Sequence, residues 1–245
     1  MSRIYLVGAG PGRADLLTVR AAKVLSRAGA VLYDRLVSSE VLELVPAAAE
    51  LIYAGKEEGR QEETQARILI QLEECARRHE VVVRLKGGDP MVFGRGAEEW
   101  VWLARRGWDV EVVPGVSSAI AVPALAGIPA TLRGVAGGFA VVTGNRKSGC
   151  CQQWQAYAAA DTLIVLMGVE NRAGIAACLI EAGRAAETPV AFVENGTTPR
   201  ERVLVTSLGK VAHDEADVTS PAVMIVGEVV NLRSELMPYL ACAIA

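Results

Sequence analysis

Short apolar runs alternate along this chain with segments whose apolar residues recur at helical spacing. The first run, residues 4–7, ends in a glycine turn, and residues 17–28 then place apolar side chains on one face of a helix, for which Asp15 is the expected cap. Because strands joined by helices in this way form parallel sheets, the pattern predicts an α/β fold. Further strands of the first half are expected at residues 30–33, 51–54, 81–83 and 110–113.

The second half repeats the alternation with more strands and shorter connections, which favours a mixed sheet. A small-residue helix at 117–125 and a glycine-rich stretch at 134–138 precede it. We therefore predict an N-terminal α/β domain with a parallel sheet at residues 1–115, a linker region at 116–136, and a C-terminal α/β domain with a mixed sheet at 137–245. The expected elements of the last part are strands at 139–143, 163–167, 190–193, 202–206 and 223–226, a loop at 144–149, a helix at 171–182 and a short helix near Lys210.

Composition excludes several classes of protein. A chain of 245 residues with 51% hydrophobic and 22% charged residues is typical of a globular protein. Its net charge of −3 gives no general attraction to nucleic acid or to anionic lipid, so we expect neither partner. The first residues enter a strand at once and no apolar run is long enough for a bilayer, which predicts a cytoplasmic location. Five cysteines without metal spacing indicate reduced thiols and no metal.

The loop at residues 84–96 follows the β-branched run at 81–83 and has the composition of a binding loop. It contains four glycines, one proline, one acidic and three basic residues. Gly87 and Gly88 permit a ligand to lie close to the main chain, and Asp89, which precedes the proline, is biased toward an extended conformation that presents its carboxylate. A surface turn between a strand and a helix is the alternative.

The glycine turn at residues 8–12 also resembles a dinucleotide-binding motif, with Asp34 where such folds hold a ribose. That motif has a third glycine five residues after the first, whereas position 13 is Arg. Pro11 lacks the backbone donor that a pyrophosphate would use. A dinucleotide-dependent oxidoreductase is therefore the second interpretation.

Charged residues follow several predicted strands. Asp34 and Lys56 both come directly after a strand of the first half, and a carboxylate and an amine that face one cleft form a candidate acid/base pair. Ordinary salt bridges or exposure to solvent are the alternative. Arginines in or beside the predicted loops would suit a polycarboxylate ligand, because guanidinium pairs with carboxylate bidentately; these are Arg35, Arg84, Arg95, Arg133 and Arg146.

Two strands of the second half end in a residue followed by glycine, as a backbone-lined nucleoside site would require. They end at Met167-Gly168 and Asn195-Gly196. Ser117 and Ser118 stand at the start of the small-residue helix and would either cap it or bond a ligand.

Taken together and in order, these segments resemble the tetrapyrrole methylase family, and within it the branch of uroporphyrinogen-III C-methyltransferases. The segments are Gly8-Ala-Gly-Pro-Gly12, Tyr33-Asp-Arg-Leu-Val-Ser38, Gly55-Lys56, the loop at 84–96, Val112-Val-Pro-Gly-Val116, Ala126-Gly-Ile-Pro129, Met167-Gly168, Glu194-Asn-Gly-Thr197 and Ser220-Pro-Ala222. The resemblance implies the two-domain fold of a class III methyltransferase, with the active site in the inter-domain cleft, as a homodimer. It also implies S-adenosyl-L-methionine as cofactor, with S-adenosyl-L-homocysteine as its product.

The expected activity is C-methylation of uroporphyrinogen III at C2 and C7, giving precorrin-2 via precorrin-1 for sirohaem or cobalamin. The resemblance implies that Asp34 is the proton acceptor and Lys56 the proton donor. Arg35, Arg84, Arg95 and Arg133 are the basic residues we expect to meet the substrate. The cofactor contacts it implies are Pro11, Gly87, Gly88, Asp89, Val92, Ser117, Ser118, Met167 and Gly196.

Three positions depart from the family pattern, namely Leu132, Asn145 and Leu166. They leave two alternatives open: a methyltransferase for another precorrin-type tetrapyrrole, and a tetrapyrrole-binding module without turnover.

Overall fold

The computed structural model describes residues 2–55, 61–145 and 152–240, so the predicted proton donor Lys56 and the basic residue Arg146 lie outside the described residues. The chain forms two compact units that divide between Ser117 and Ser118. Each unit contains a five-stranded sheet. This architecture confirms the α/β fold class that the alternating pattern predicts.

The first unit contains strands β1 (Arg3–Gly8), β2 (Ala30–Tyr33), β3 (Glu50–Tyr53), β4 (Val81–Lys86) and β5 (Asp109–Val113), and helices α1 (Val19–Leu25), α2 (Ser39–Leu42), α3 (Gln61–Ala76) and α4 (Gly96–Ala104). Its strands lie in the order β3-β2-β4-β1-β5, and every pairing is parallel. Successive apolar residues of a strand, such as Val82 and Val83, pack into separate clusters on the two faces. The carboxyl ends of the strands meet at one edge, which is where parallel α/β sheets bind ligands.

Thr18 caps helix α1, because its Oγ1 atom accepts a hydrogen bond from the backbone N–H of Ala21 at 3.1 Å. The prediction that Asp15 caps this helix is wrong. Asp15 lies in a short 3-10 turn, Ala14–Leu16, and pairs there with Arg13. An exposed pair of this kind holds the turn locally, so the acid is not available to the helix.

The second unit contains strands β6 (Phe139–Thr143), β7 (Thr162–Leu166), β8 (Pro189–Glu194), β9 (Arg202–Ser207) and β10 (Ala222–Val226), and helices α5 (Ser118–Leu125), α6 (Gln152–Ala158), α7 (Arg172–Glu181), α8 (Leu208–Ala212) and α9 (Leu232–Leu240). Its strands lie in the order β6-β7-β10-β8-β9. Only β6 and β7 pair in parallel among these described strands, so the sheet is mixed.

Helix α5 lies within residues 116–136, the segment predicted as a linker region. Its residues Ala119 and Val122 are buried in one cluster with Ile164 of β7 and Ala191 of β8. Helix α5 therefore packs on the second sheet, and the segment belongs to the second unit from Ser118 onward.

Two helices of the second unit, α6 and α9, are absent from the sequence prediction. Their patterns are weak, since α6 is only seven residues long and α9 contains Pro238. The cysteine prediction also differs: Cys178 of α7 is disulfide-bonded, while Cys75 of α3 is a buried free thiol. Spacing along the chain does not report which thiols meet in space. No helix in the described ranges combines the length and the apolar character that crossing a bilayer requires.

Candidate active site

Three glycine-containing loops meet at the carboxyl edge of the first sheet. Gly10 and Gly88 exchange backbone hydrogen bonds of 3.2 and 2.7 Å across the loops that follow β1 and β4. A Cβ atom at Gly8 would lie 2.5 Å from the Cα of Gly115 and 2.6 Å from the carbonyl oxygen of Gly88. The loops after β1, β4 and β5 therefore pack main chain against main chain, and only glycine fits at these contacts.

The turn after β1 does not lead directly into a helix. Pro11 is half-buried beyond Gly10, and Ser38 donates a hydrogen bond of 2.7 Å to the carbonyl oxygen of Gly12. Helix α1 begins only at Val19, after the 3-10 turn. A dinucleotide site places its pyrophosphate on the N-terminus of the helix that opens at the glycine turn. This geometry counts against the oxidoreductase interpretation.

Asp89 is anchored to the main chain. Its Oδ1 atom accepts the backbone N–H of Met91 at 2.8 Å, and its Oδ2 atom accepts that of Gly115 at 3.0 Å. The carboxylate, expected to be presented to a ligand, is thus half-buried and joins the loop after β4 to the loop after β5. Each carboxylate oxygen has a further lone pair, so a ligand contact is still possible.

Two other residues of the loop at 84–96 have a backbone conformation that is rare for residues other than glycine. Phe93 and Arg95 have φ angles of 52° and 59°. Val92 is half-buried and donates its backbone N–H to the carbonyl oxygen of Asp89 at 3.2 Å. At Gly87 a Cβ atom would lie 3.1 Å from the Cβ atom of Leu36, which is a tight contact with a side chain rather than with main chain.

Asp34 lies at the same edge, directly after β2. Its side chain is 28% exposed, and its Oδ1 atom accepts a hydrogen bond from Nη2 of Arg84. Its backbone N–H donates to the carbonyl oxygen of Leu85 at 3.3 Å. The carboxylate is therefore fixed by β4 while part of its surface stays open to a ligand.

Arg84, which was expected to contact the substrate, is buried. Its side chain has no exposed surface, and Nη1 donates to the carbonyl oxygens of Leu32 and Leu85 at 3.4 and 3.3 Å. Its contact with the site is through Asp34.

Arg84 also contacts Glu99 of α4, a buried charged residue that was not predicted from the sequence. Its Oε1 atom accepts hydrogen bonds from Nζ of Lys86 at 2.9 Å, from Nε2 of Gln65 at 2.9 Å, and from Nε of Arg84 at 3.4 Å. The one available signal is helical spacing, because Glu99 and buried Leu103 lie four residues apart on one face of α4. A charge on an apolar face indicates a buried partner.

Burial and neighbouring charges act on these groups in opposite ways. Burial lowers the pKa of Lys86 below its ordinary value, and the charge of Arg84 lowers it further. Burial alone would raise the pKa of Glu99, but the charges of Arg84 and Lys86 and the hydrogen bonds from Gln65 and Lys86 outweigh it. The pKa of Glu99 therefore lies below its ordinary value, and the side chain is a carboxylate.

The other candidate arginines are accessible. Arg35 is exposed next to Asp34, and Arg95 is half-buried and pairs with Glu98 at 2.6 Å. Arg133 is exposed in the second unit, in a turn that Leu132 and Ala136 close with backbone hydrogen bonds of 3.0 and 2.8 Å.

The remaining cofactor candidates lie around the unit boundary and in the second unit. Ser117 ends the first unit and Ser118 begins α5, and both are half-buried. Met167 follows β7 with a φ angle of 55° and is 49% exposed. Gly196 follows β8, and a Cβ atom there would lie 2.5 Å from Val122 of α5. The structure thus places these residues at loop positions after strands or at a helix start.

Comparison with known proteins identifies the family. The profile of the Tetrapyrrole (Corrin/Porphyrin) Methylases matches residues 3–212. This chain belongs to the tetrapyrrole methylases. The match extends over both units, so the two sheets are the two halves of a tetrapyrrole methylase fold.

Individual tetrapyrrole methylases are similar over most of this chain. The uroporphyrinogen-III C-methyltransferase of Synechocystis sp. is 42% identical over 250 residues, covering 98% of this chain and 95% of that protein. The siroheme synthase of Stutzerimonas stutzeri is 45% identical over 96% of this chain but 52% of its own length. The chain thus spans about half the length of several relatives that it matches.

A solved tetrapyrrole methylase structure has the same fold. The uroporphyrin-III C-methyl transferase from Thermus thermophilus, complexed with S-adenyl homocysteine, aligns with a TM-score of 0.84 and 47% identity. The alignment covers 94% of each chain.

Proposed function

We propose that this chain is an S-adenosyl-L-methionine-dependent C-methyltransferase that methylates uroporphyrinogen III at C2 and C7. The product is precorrin-2, formed via precorrin-1, for sirohaem or cobalamin biosynthesis. The observation that carries the proposal is the carboxyl edge of the first sheet, where the partly exposed Asp34 lies beside the glycine loop that follows β4. The similarity to the Synechocystis enzyme over nearly all of both chains supports it.

The loop main chain fits the methyl donor. Gly87 is half-buried and has no side chain of its own, so an adenosyl group can approach its backbone. Asp89 has lone pairs left for an ammonium or a ribose hydroxyl. When bound, S-adenosyl-L-methionine supplies an electrophilic methyl group on a sulfonium. We assign donor binding to Pro11, Gly87, Gly88, Asp89, Val92, Ser117, Ser118, Met167 and Gly196.

In this proposal the protein orients the reacting groups and manages protons. A pyrrole carbon is itself the nucleophile, so no covalent intermediate with the chain is needed. Asp34 accepts the proton that the substrate releases, and its partial exposure leaves the carboxylate open to that substrate. Lys56 acts as the proton donor.

The substrate is a polycarboxylate, and the chain has a net charge of −3. Attraction must therefore come from local basic side chains rather than from the protein as a whole. We assign this contact to Arg35, Arg95 and Arg133, whose side chains are exposed or half-buried. We do not assign Arg84 to substrate binding, because its side chain has no exposed surface.

Calorimetry separates this function from the oxidoreductase interpretation. Titration with S-adenosyl-L-homocysteine should give saturable binding, and titration with reduced NAD or NADP should give none. Binding of the nicotinamide alone would reject the proposal. If the homocysteine compound binds but uroporphyrinogen III acquires no methyl group from the labelled donor, the chain is a binding module without turnover.

Two of the three family departures lie in packing positions. Leu132 and Leu166 pack against the apolar cluster beneath the second sheet, where they contact other side chains of the chain itself. Asn145 donates its backbone N–H to Oγ1 of Thr143 at 3.2 Å. Direct competition between uroporphyrinogen III and another precorrin-type tetrapyrrole tests which substrate the chain prefers.

The homodimer and the cytoplasmic location that the sequence analysis expects stay predictions. Light scattering of the purified full chain tests the first, since it should give twice the mass of one chain.

A further inference from the structure

Four charged side chains form a continuous path from the open edge of the first sheet into its interior. Asp34 bonds Arg84, Arg84 contacts Glu99 at 3.4 Å, and Glu99 bonds Lys86 at 2.9 Å. The exposed fraction of the side chain is 28% at Asp34, 0% at Arg84 and Glu99, and 4% at Lys86. Only the Asp34 end of the path is therefore accessible to a substrate.

The path is balanced in charge, with two cations and two carboxylates. Because the charges alternate along it, each cation lies between carboxylates or beside one. Removing any member leaves an uncompensated buried charge, which is strongly unfavourable. Arg84 is thus held between two carboxylates, Asp34 on the site side and Glu99 on the interior side.

The three nitrogen atoms of the Arg84 guanidinium each have a hydrogen-bonding partner among these neighbours. Nη2 donates to Asp34, Nε points to Glu99, and Nη1 donates to the carbonyl oxygens of Leu32 and Leu85. The planar guanidinium therefore has one orientation that serves all its neighbours. Since Arg84 binds Oδ1 of Asp34, the second oxygen, Oδ2, is directed away from this hydrogen bond.

We propose that Arg84 is a positioning residue for methyl transfer: it fixes Oδ1 of Asp34 so that Oδ2 meets the proton that the substrate releases, while Glu99 and Lys86 hold Arg84 in place. This inference rests on the proposed function, because it takes Asp34 as the proton acceptor.

A purely stabilising role explains the path less well. Buried ion pairs are often replaced by apolar side chains without loss of stability, because burial of the charges costs about as much as their attraction returns. Here the row of charged residues ends in a partly exposed carboxylate at the ligand-binding edge. An ion pair that only stabilises the interior does not require an exposed member. The arrangement therefore fits control of that carboxylate.

A double-mutant cycle between Arg84 and Asp34 tests the inference. Arg84→Lys keeps the positive charge and loses the fork, so it is preferred to Arg84→Met, which would leave Glu99 and Asp34 to share Lys86. We expect Arg84→Lys to lower kcat about 100-fold, the size typical of a misplaced catalytic group. KM and the affinity for S-adenosyl-L-homocysteine should stay within about twofold. In an Asp34→Asn background, Arg84→Lys should change the residual rate by less than about twofold.

The matched control is Arg184→Lys in the second unit. Arg184 is partly buried and, like Arg84, uses its Nη atoms to donate to backbone carbonyl oxygens, those of Ala160 and Asp161, each at 3.0 Å. Its replacement should lower the melting temperature and leave kcat unchanged. A melting curve for each variant separates loss of folded protein from loss of turnover.

The outcomes distinguish the inference from the proposed function. If Arg84→Lys lowers kcat by the same factor in the wild type and in Asp34→Asn, the two residues act independently and the inference is overturned. If Arg84→Lys turns over at the wild-type rate, it is overturned as well. A wild-type chain that transfers no methyl group to uroporphyrinogen III overturns the proposed function, and the inference falls with it.

Discussion

At the scale of single residues, Asp89 shows how a side chain can serve a ligand site by organising the main chain around it. Its two oxygens accept the N–H groups of Met91 and Gly115, which belong to the loops after β4 and β5. Hydrogen bonds to a charged acceptor each contribute about 1.5–3 kcal/mol. Their loss would release both loops at the edge where we propose that the methyl donor binds.

We therefore expect Asp89→Ala to weaken binding of S-adenosyl-L-homocysteine by about 10-fold to 100-fold, the equivalent of one lost hydrogen bond to a charged group. Calorimetric titration measures the effect. Asp109→Ala is the control, because Asp109 is 54% exposed and pairs with Arg3 at the start of β5, away from the carboxyl ends. Unchanged affinity in Asp89→Ala would remove this residue from the donor site.

At the scale of elements, local patterns predicted the strands well. The strands β2 and β6 occupy the expected residues 30–33 and 139–143, since buried strands of α/β proteins are continuous apolar runs. Helices α6 and α9 escaped prediction because neither has a long apolar period with clear end signals. Thr18 and Asp15 are both suitable caps by residue type, so only the geometry of the turn decides between them.

The candidate site was predictable to a lesser degree. The glycine loops and Asp34 lie together at one edge, as their positions after parallel strands indicate. Burial of Arg84 was not predictable, because a charged residue at the end of a strand is equally compatible with a surface position. Its partner Glu99 comes from a different element, and no spacing rule connects residues that meet only through packing of α4 on the sheet.

Glu99 links α4 to the sheet, and its ionisation contributes to stability in a defined pH range. The pKa of Glu99 is lowered from 4.5, although burial alone would raise it, because the charges of Arg84 and Lys86 outweigh burial. The folded state therefore favours the carboxylate more than the unfolded state does. This contribution is fully present above pH 4.5 and is lost as the pH falls through the lower value in the folded protein.

We expect Glu99→Gln to lower the free energy of unfolding at pH 7 by about 3–5 kcal/mol, because Arg84 and Lys86 lose a buried counter-ion. The variant should then lose less further stability than the wild type on acidification below pH 4.5. Urea unfolding at pH 7 and at a pH below 4.5 measures both effects. Glu74→Gln, on the exposed surface of α3, should match the wild type. An equal acid loss in Glu99→Gln and the wild type would contradict the role of its charge.

At the scale of the whole molecule, a net charge of −3 opposes the approach of a polycarboxylate, so binding must depend on local arginines. Arg35 and Arg133 are exposed, and interactions of exposed charges are screened over about 10 Å at 0.1 M salt. Binding of the proposed substrate should therefore be more sensitive to salt than binding of the donor.

We expect KM for uroporphyrinogen III to rise with ionic strength, while the affinity for S-adenosyl-L-homocysteine changes much less. Arg133→Gln should raise KM at low salt and flatten its dependence on salt. Arg200→Gln, another exposed arginine of the second unit, is the control and should follow the wild type. Steady-state kinetics over a series of salt concentrations would contradict the assignment if both variants behaved alike.

The central claim is that the carboxyl edge of the first sheet supports methyl transfer to a tetrapyrrole, with Asp34 as the proton acceptor. Mass spectrometry of the tetrapyrrole after incubation of the full chain with uroporphyrinogen III and methyl-labelled S-adenosyl-L-methionine tests it most directly. We predict a product that carries two labelled methyl groups, formed far more slowly by Asp34→Asn although that variant still binds S-adenosyl-L-homocysteine. Recovery of unmethylated uroporphyrinogen III from folded, donor-bound wild-type protein would contradict the claim.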